Sequence, residues 1–368
     1  MFKHDVLDLG SATIRVLKVH RTKLGGLIQC TLKQVPLVHS YTCLSHTWGP
    51  VNQSRKLILL NEHEFWVREG LWSFLDIASQ SYTDQWLWID AICINQEHIV
   101  EKNHQVRLMA QIYRQAVRVL VWLGSGDASM EYHLRALEAA FAEYDGAHVG
   151  EDVFGCHFIT HSADNTDMLH RIRCLVDGRL LDRLRVIETL PYWSRMWIVQ
   201  EILLGNTVTL LYGRVSMPWT ELACLAHDAY RLVQAPHLYH GPSKLKRIPR
   251  YAEYNHISDR NKMSDLTQLA LLCQPLQQAW EGFRIADLNR VLIRFHGFQC
   301  SDPRDRIYGI LGMFPDSGAF QVDYKESLEN LYARSMWFFH ERAQTNEEDV
   351  FLPRTLAMVL GLEFQRRN

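Results

Sequence analysis

Residues 87–124 read LWIDAICINQEHIVEKNHQVRLMAQIYRQAVRVLVWLG. The run 86–94 (WLWIDAICI) and the run 118–124 (RVLVWLG) are nearly continuous in apolar side chains, the composition of strands covered on both faces. Between them Val106, Met109, Tyr113 and Ala116 recur at helical spacing and predict a helix over 101–116. A strand, a helix and a second strand in this length make a crossover unit, which places the two strands in parallel.

Working outward, YTCLSHTWG (41–49) reads as a buried strand that runs into a Trp-Gly turn. Upstream, 13–20 and 26–37 read as strands joined across Gly25 and Gly26, and 57–60 with 64–67 as a hairpin followed by a helix over 69–79. Downstream, 130–143 is helical, with Asp127 or Ser129 as its cap. The polar stretch 146–168 is loop-like, so 125–190 is expected to be an insertion. YWSRMWIVQEILLG (192–205) predicts a helix over 193–204, with Ser194 as N-cap and Gly205 as its stop. VTLLYG (208–213) is a further strand, and beyond Met217 the pattern is mostly helical, including 326–340 with Leu328, Leu331, Ser335 and Phe339 on one stripe. The expected architecture is α/β, with a flavodoxin-like parallel sheet core over 1–215 that includes the insertion and a helical C-terminal region over 216–368.

Composition narrows the function classes. The chain has 368 residues, 47% hydrophobic and 22% charged, as in a globular protein that fills a core. A net charge of −2 offers no general attraction to nucleic acid or anionic membranes. The eight cysteines include no CxxC pair, which points to reduced thiols and a cytoplasmic location. The N-terminus MFKHDVLDLG lacks the apolar segment of a signal peptide, and no window reaches the ~20 apolar residues of a membrane span.

Three blocks carry a family resemblance. YTCLSHTWG resembles the first motif of fungal heterokaryon incompatibility (HET) domains, with His46 in place of the common Tyr. The 87–124 segment resembles the second motif (Trp-Ile-Asp, Ile-Asn-Gln, Glu-Lys, Gln-Val), and YWSRMWIVQEI resembles the third (Trp-x-Arg-x-Trp-x-x-Gln-Glu). CSDPRDRIYGILGM (300–313) is similar to a segment that commonly follows the domain. HET domains are in turn similar to TIR domains, some of which cleave NAD with a glutamate in a Ser-x-Trp-x-x-x-Glu neighbourhood. Ser194 to Glu201 resembles it, and the long insertion before it is a departure. The resemblance implies a TIR-like core and a trigger of incompatibility or immune-like cell death. It also implies NAD as substrate with no required cofactor, and an upstream incompatibility or immune partner; the alternative is a non-enzymatic TIR-like signalling module that acts by self-association or partner binding.

In an open parallel sheet, ligands bind beyond the carboxyl ends of the strands. Ser45, His46, Trp48 and Gly49 follow one strand, Asp90, Asn95 and Gln96 follow another, and the 193–204 helix supplies Arg195, Trp197, Gln200 and Glu201. Glu201 is the expected catalytic carboxylate: it can hold ribose hydroxyls and stabilise an oxocarbenium-like centre. Arg195 is expected to meet the pyrophosphate and Trp48 or Trp197 to stack on nicotinamide. The alternative is an Arg195–Glu201 ion pair within the core. Asp90 orients a water or ribose hydroxyl, or else caps the following turn. Asn95 and Gln96 fix a loop or touch substrate. Ser45 lacks a hydrolase triad, since neighbouring His46 points to the other face of its strand.

Other clusters read as structural. Cys156, His157, His161, His170 and Cys174 carry metal-ligand spacings without an anchoring pair, so no metal is expected. WLGSGDAS (122–129) has no following Lys and is a turn, not a phosphate loop. Lys244, Lys246, Arg247 and Arg250 form a basic loop without interleaved aromatics, and nucleic-acid binding is not expected. Asp302, Arg304, Asp305 and Arg306 are expected to brace a helix start.

Overall fold

The computed structural model describes residues 2–50, 52–145, 180–234, 285–314, 317–342 and 352–362. In chain order the strands and helices that position the site are β1 (Thr13–Leu24), β2 (Leu27–Pro36), β3 (Thr42–His46), β4 (Arg55–Leu60), β5 (His63–Arg68), α1 (Glu69–Ser81), β6 (Leu87–Trp88), α2 (Asp90–Cys93), α3 (Ile99–Gln115) and β7 (Arg118–Gly124). These are followed by α4 (Ala128–Asp145), α5 (Leu180–Glu188), α6 (Ile198–Leu203), β8 (Val208–Tyr212), β9 (Val215–Pro218) and α7 (Trp219–Gln234). The C-terminal helices are α8 (Ile285–Phe295), α9 (Asp305–Leu311), α10 (Leu328–Arg342) and α11 (Leu352–Leu360).

The chain divides into two compact units, Met1–Trp122 with Ser194–Thr207 and Gln274–Asn368, and Leu123–Trp193 with Val208–Cys273. This division cuts across the 1–215 and 216–368 segments expected from sequence, because 274–368 groups with the strands of the first unit.

In the first unit the strand order is β5-β4-β2-β1-β6-β3-β7. The α/β class is as expected, and β6, β3 and β7 run parallel to one another. The sheet is nevertheless mixed. β1 and β2 pair antiparallel because only Gly25 and Gly26 (φ 56° and 81°) join them, and a two-residue link cannot carry a parallel crossover. β4 and β5 close across Asn61 and Glu62, both at positive φ, in the manner of a tight hairpin turn. The Asn61 amide brackets β2: its Oδ1 accepts from Leu32 N (2.8 Å) and its Nδ2 donates to Leu32 O (3.0 Å).

β3 is buried along its whole length, and α3 buries Leu108, Met109, Ile112 and Tyr113. The Tyr41 hydroxyl donates to Ile112 O at 2.9 Å and ties the start of β3 to that helix. A buried ion pair also organises the unit. Arg15 (2% exposed) meets both carboxylate oxygens of Glu101, at 2.5 and 3.0 Å, and donates to the carbonyls of Cys93 (3.0 Å) and Asp5 (2.5 Å). Glu101 Oε1 also accepts from Asn95 N (2.8 Å), so this pair holds the α2–α3 loop in place.

Two expectations are corrected. The run 86–94 is not one strand: β6 stops at Trp88 and Asp90 starts a helical turn, accepting Ala91 N at 2.7 Å. Apolar density cannot separate a buried strand from a buried helical turn, and both conceal Ile92 and Cys93 equally well. The 193–204 helix is also interrupted. Arg195 bridges Gln299, whose N–H takes the Ser194 carbonyl (2.5 Å) and whose carbonyl takes Met196 N (2.9 Å). Ser194 therefore does not cap; it ends a 3-10 turn (Pro191–Ser194), and the α-helix begins at Ile198 after Trp197.

In the second unit β8 and β9 form an antiparallel hairpin turned at Gly213 (φ 57°), with a Cβ there falling 2.3 Å from Glu131 Oε1. Asp127 Oδ1 accepts Ser129 N at 2.8 Å and caps α4, as the turn reading of 122–129 requires. Cys156 to Cys174 and Lys244 to Arg250 lie outside the described residues. Among the described residues, no group of three or more His, Cys, Asp or Glu side chains is placed to hold a metal, and no helix is long and apolar enough to cross a membrane.

Candidate functional site

The carboxyl end of β3 is where polar side chains converge. Ser45 and His46 close the strand, both buried at 1% and 3% exposure. The Ser45 hydroxyl donates to Glu201 Oε2, delivered by α6, and Arg195 Nη1 stands 3.8 Å from the same oxygen. Glu201 is only 2% exposed. Burial pushes its carboxyl up to about 7; Arg195 opposes this, Asp90 adds to it, and hydrogen bonding from Ser45 and Tyr113 pulls it down. A carboxyl held there exchanges its proton near neutrality, whereas an ordinary glutamate stays ionised.

A second layer surrounds Asp90. Its Oδ2 accepts the Trp48 indole N–H at 2.9 Å, and its backbone carbonyl accepts Gln96 Nε2 at 2.9 Å. His46 Nδ1 lies 3.8 Å from Asp90 Oδ1 and makes no hydrogen bond among the described residues. Burial, against the pull of Asp90 and with help from Arg195 and Arg68, lowers the His46 imidazole to about 4, so it is neutral at physiological pH. His46 thus joins the same polar cluster that its strand partner Ser45 enters from the other side.

Beside this layer opens a pocket of about 250 Å³ lined by His46, Trp48, Gln96, Arg68 and side chains of β4 and β5. Arg68 stands over the Trp48 ring, 6.0 Å from its centroid, and donates to the carbonyls of Trp48 (3.0 Å) and Gly49 (2.6 Å). Gly49 adopts φ 74°, and a Cβ there would fall 2.2 Å from Gln53 Oε1, so this turn depends on glycine.

The expected site residues are thus divided. Ser45, Arg195 and Glu201 are brought together; Trp48 and Gln96 line the pocket, Gly49 forms the turn after Trp48, and Asp90 holds the Trp48 indole. Asn95 fixes its loop, accepting Glu97 N through Oδ1 at 3.2 Å. Trp197 is turned to Asp305, to which its side chain hydrogen-bonds, and so braces α9. Asp305 also accepts the Tyr324 hydroxyl at 2.6 Å, and Arg304 pairs with Asp302 at 2.9 Å, which is the bracing expected of that segment. Gln200 faces the same way, donating to Tyr308 O at 2.5 Å. Sequence reasoning assigned Tyr113 to packing and missed its place beside Glu201. It also overlooked Arg55 and Arg68, because nothing local marks one face of a hairpin as a pocket wall.

The family model described as "Heterokaryon incompatibility protein (HET)" matches residues 41–201. Residues 41–201 are thus similar to HET domains. The limits of the match coincide with the cluster: the matched span opens one residue before β3 and closes on Glu201. Along most of its length the chain is also similar to a Neurospora crassa protein, "Heterokaryon incompatibility protein 6, OR allele", at 26% identity over 364 residues. That alignment covers 89% of this chain and 52% of the relative, so the chain spans about half the length of the curated protein it matches. No solved structure matches the chain.

Proposed function

We propose that this chain supplies the HET module of a trigger of heterokaryon incompatibility and programmed cell death, acting by hydrolysis of NAD. The family match and the name of the Neurospora relative support the biological part. The observation that supports the chemical part is Glu201: a carboxyl raised to about 7, held by Ser45 at the end of a strand flanked by two parallel neighbours. In the reaction the bond between ribose C1′ and the nicotinamide nitrogen breaks, and its electron pair leaves with nicotinamide. A water oxygen then bonds to C1′ and gives ADP-ribose and a proton. Glu201 in its ionised form stabilises the positive ribosyl centre, and Asp90, on the pocket side, orients the ribose or the water.

A second reading has its own support. Glu201 is nearly closed from solvent, lines neither the pocket beside Asp90 nor the small one at Gln200 and Tyr308, and stands close to Arg195. A HET module that works by self-association or partner binding would keep such a pair as a core fastening. The catalytic reading instead requires the carboxylate to gain access to substrate by a local opening. Chromatography of nicotinamide released by the purified chain, with Glu201→Gln alongside, separates the two. Hydrolysis requires time-dependent nicotinamide release that falls at least about a hundredfold in the variant. A folded wild-type protein that releases none defeats it.

A further inference from the structure

The pocket beside Asp90 has chemical features that the Glu201 cluster does not explain. Two guanidinium groups, Arg55 and Arg68, line it, and among the described residues no acidic side chain does. Its walls carry Trp48, Trp66 and Phe65, so flat aromatic surface stands next to positive charge. Its polar equipment is equally specific. Gln96 spends its amide N–H on the Asp90 carbonyl, which leaves its side-chain oxygen as an acceptor. Neutral His46 brings a buried Nδ1 without a partner among the described residues, and a buried polar atom of this kind is costly unless something meets it. Arg68 is anchored by two backbone carbonyls, whereas Arg55 is exposed and reaches the pocket from β4.

We infer that this pocket binds a nucleoside monophosphate group, with the base against the Trp48 and Trp66 side and the phosphate on Arg55 and Arg68. The inference rests on the NAD reading for its choice of ligand and assigns the adenylate half of the dinucleotide to the pocket. Size agrees with a half: about 250 Å³ lies below the ~300–1,000 Å³ common for pockets that enclose a whole drug-sized ligand. Arg195, expected from sequence to take the pyrophosphate, stands beside Glu201, so the phosphate-binding charge comes from the β4–β5 hairpin. Guanidinium suits this task, since its planar fork meets two phosphate oxygens at once.

Calorimetric titration of the 368-residue chain with AMP, adenosine and inorganic phosphate tests the inference. AMP is expected to bind roughly tenfold or more tightly than adenosine, the effect of a charge-assisted contact. Arg55→Glu is expected to abolish that advantage while adenosine binding changes less than about twofold, and Arg55→Lys to restore part of it. Absence of saturable AMP binding overturns the inference, as does AMP binding that ignores Arg55→Glu. Inorganic phosphate binding as tightly as AMP also overturns it, because the aromatic walls would then contribute nothing. The two readings fail separately. Protein that binds AMP but releases no nicotinamide loses the hydrolysis and keeps the pocket; protein that releases nicotinamide unaffected by excess AMP keeps the hydrolysis and loses the pocket.

Discussion

Replacing Glu201 by Gln changes how stability depends on pH, and the direction follows from burial. In the folded chain the Glu201 carboxyl is raised from 4.5 to about 7. Between those values the folded state holds a proton that the unfolded state has released, so this group's contribution is fully present below pH 4.5 and is lost as pH rises through 7. At ~1.4 kcal/mol per pH unit the loss comes to roughly 3 kcal/mol. His46 works in the opposite sense. Its imidazole falls from 6.5 to about 4, so its contribution is present above 6.5 and is lost as pH falls toward 4, again by roughly 3 kcal/mol. The two slopes oppose each other across the interval they share. A glutamine side chain does not titrate, so Glu201→Gln should gain about 3 kcal/mol relative to wild type between pH 4.5 and 8 and expose the His46 slope. Urea denaturation followed by far-ultraviolet circular dichroism at four pH values, compared at matched slopes, measures this difference. A difference that stays flat within ~1 kcal/mol, or that is complete by pH 5.5, would show a carboxyl titrating like an exposed one and would refute the account.

Further expectations concern the residues that shape the site. Glu101→Gln leaves the Arg15 guanidinium buried without its countercharge and should cost about 3–5 kcal/mol in urea denaturation, whereas replacing both residues by apolar ones of similar volume should cost much less. Gly49→Ala forces a side chain into φ 74° and should destabilise by about 1–3 kcal/mol, visible as a lowered melting temperature. Gly312→Ala places a Cβ 2.4 Å from that of Ala110 and 2.5 Å from Gln200 Oε1 and should cost about 1–3 kcal/mol in the same assay. Ser45→Ala removes a hydroxyl donor to Glu201; carbon-13 NMR titration of the carboxyl should place its pKa above the wild-type value, and a lower one would contradict the assigned bond.

Much of the architecture was legible in the chain itself because it depends on near neighbours. The stripe along 101–116 can bury one side only as a helix, and α3 does so; the run 118–124 became a fully covered strand, and 41–49 another. The three motif blocks likewise pointed to the HET family, whose model matches residues 41–201. The same local reasoning failed at 193–204, where a bridge to Gln299 broke the helix, and at 86–94, where one carboxylate ended a strand. It could not pair Arg15 with Glu101, set Tyr113 beside Glu201, or make a pocket wall from the β4–β5 hairpin. Those arrangements join groups tens of residues apart, and no pattern along the chain records that distance. Periodicity reports which side of an element is buried; what it is buried against, and therefore the proton affinity of a carboxyl such as Glu201, is decided only when the elements pack.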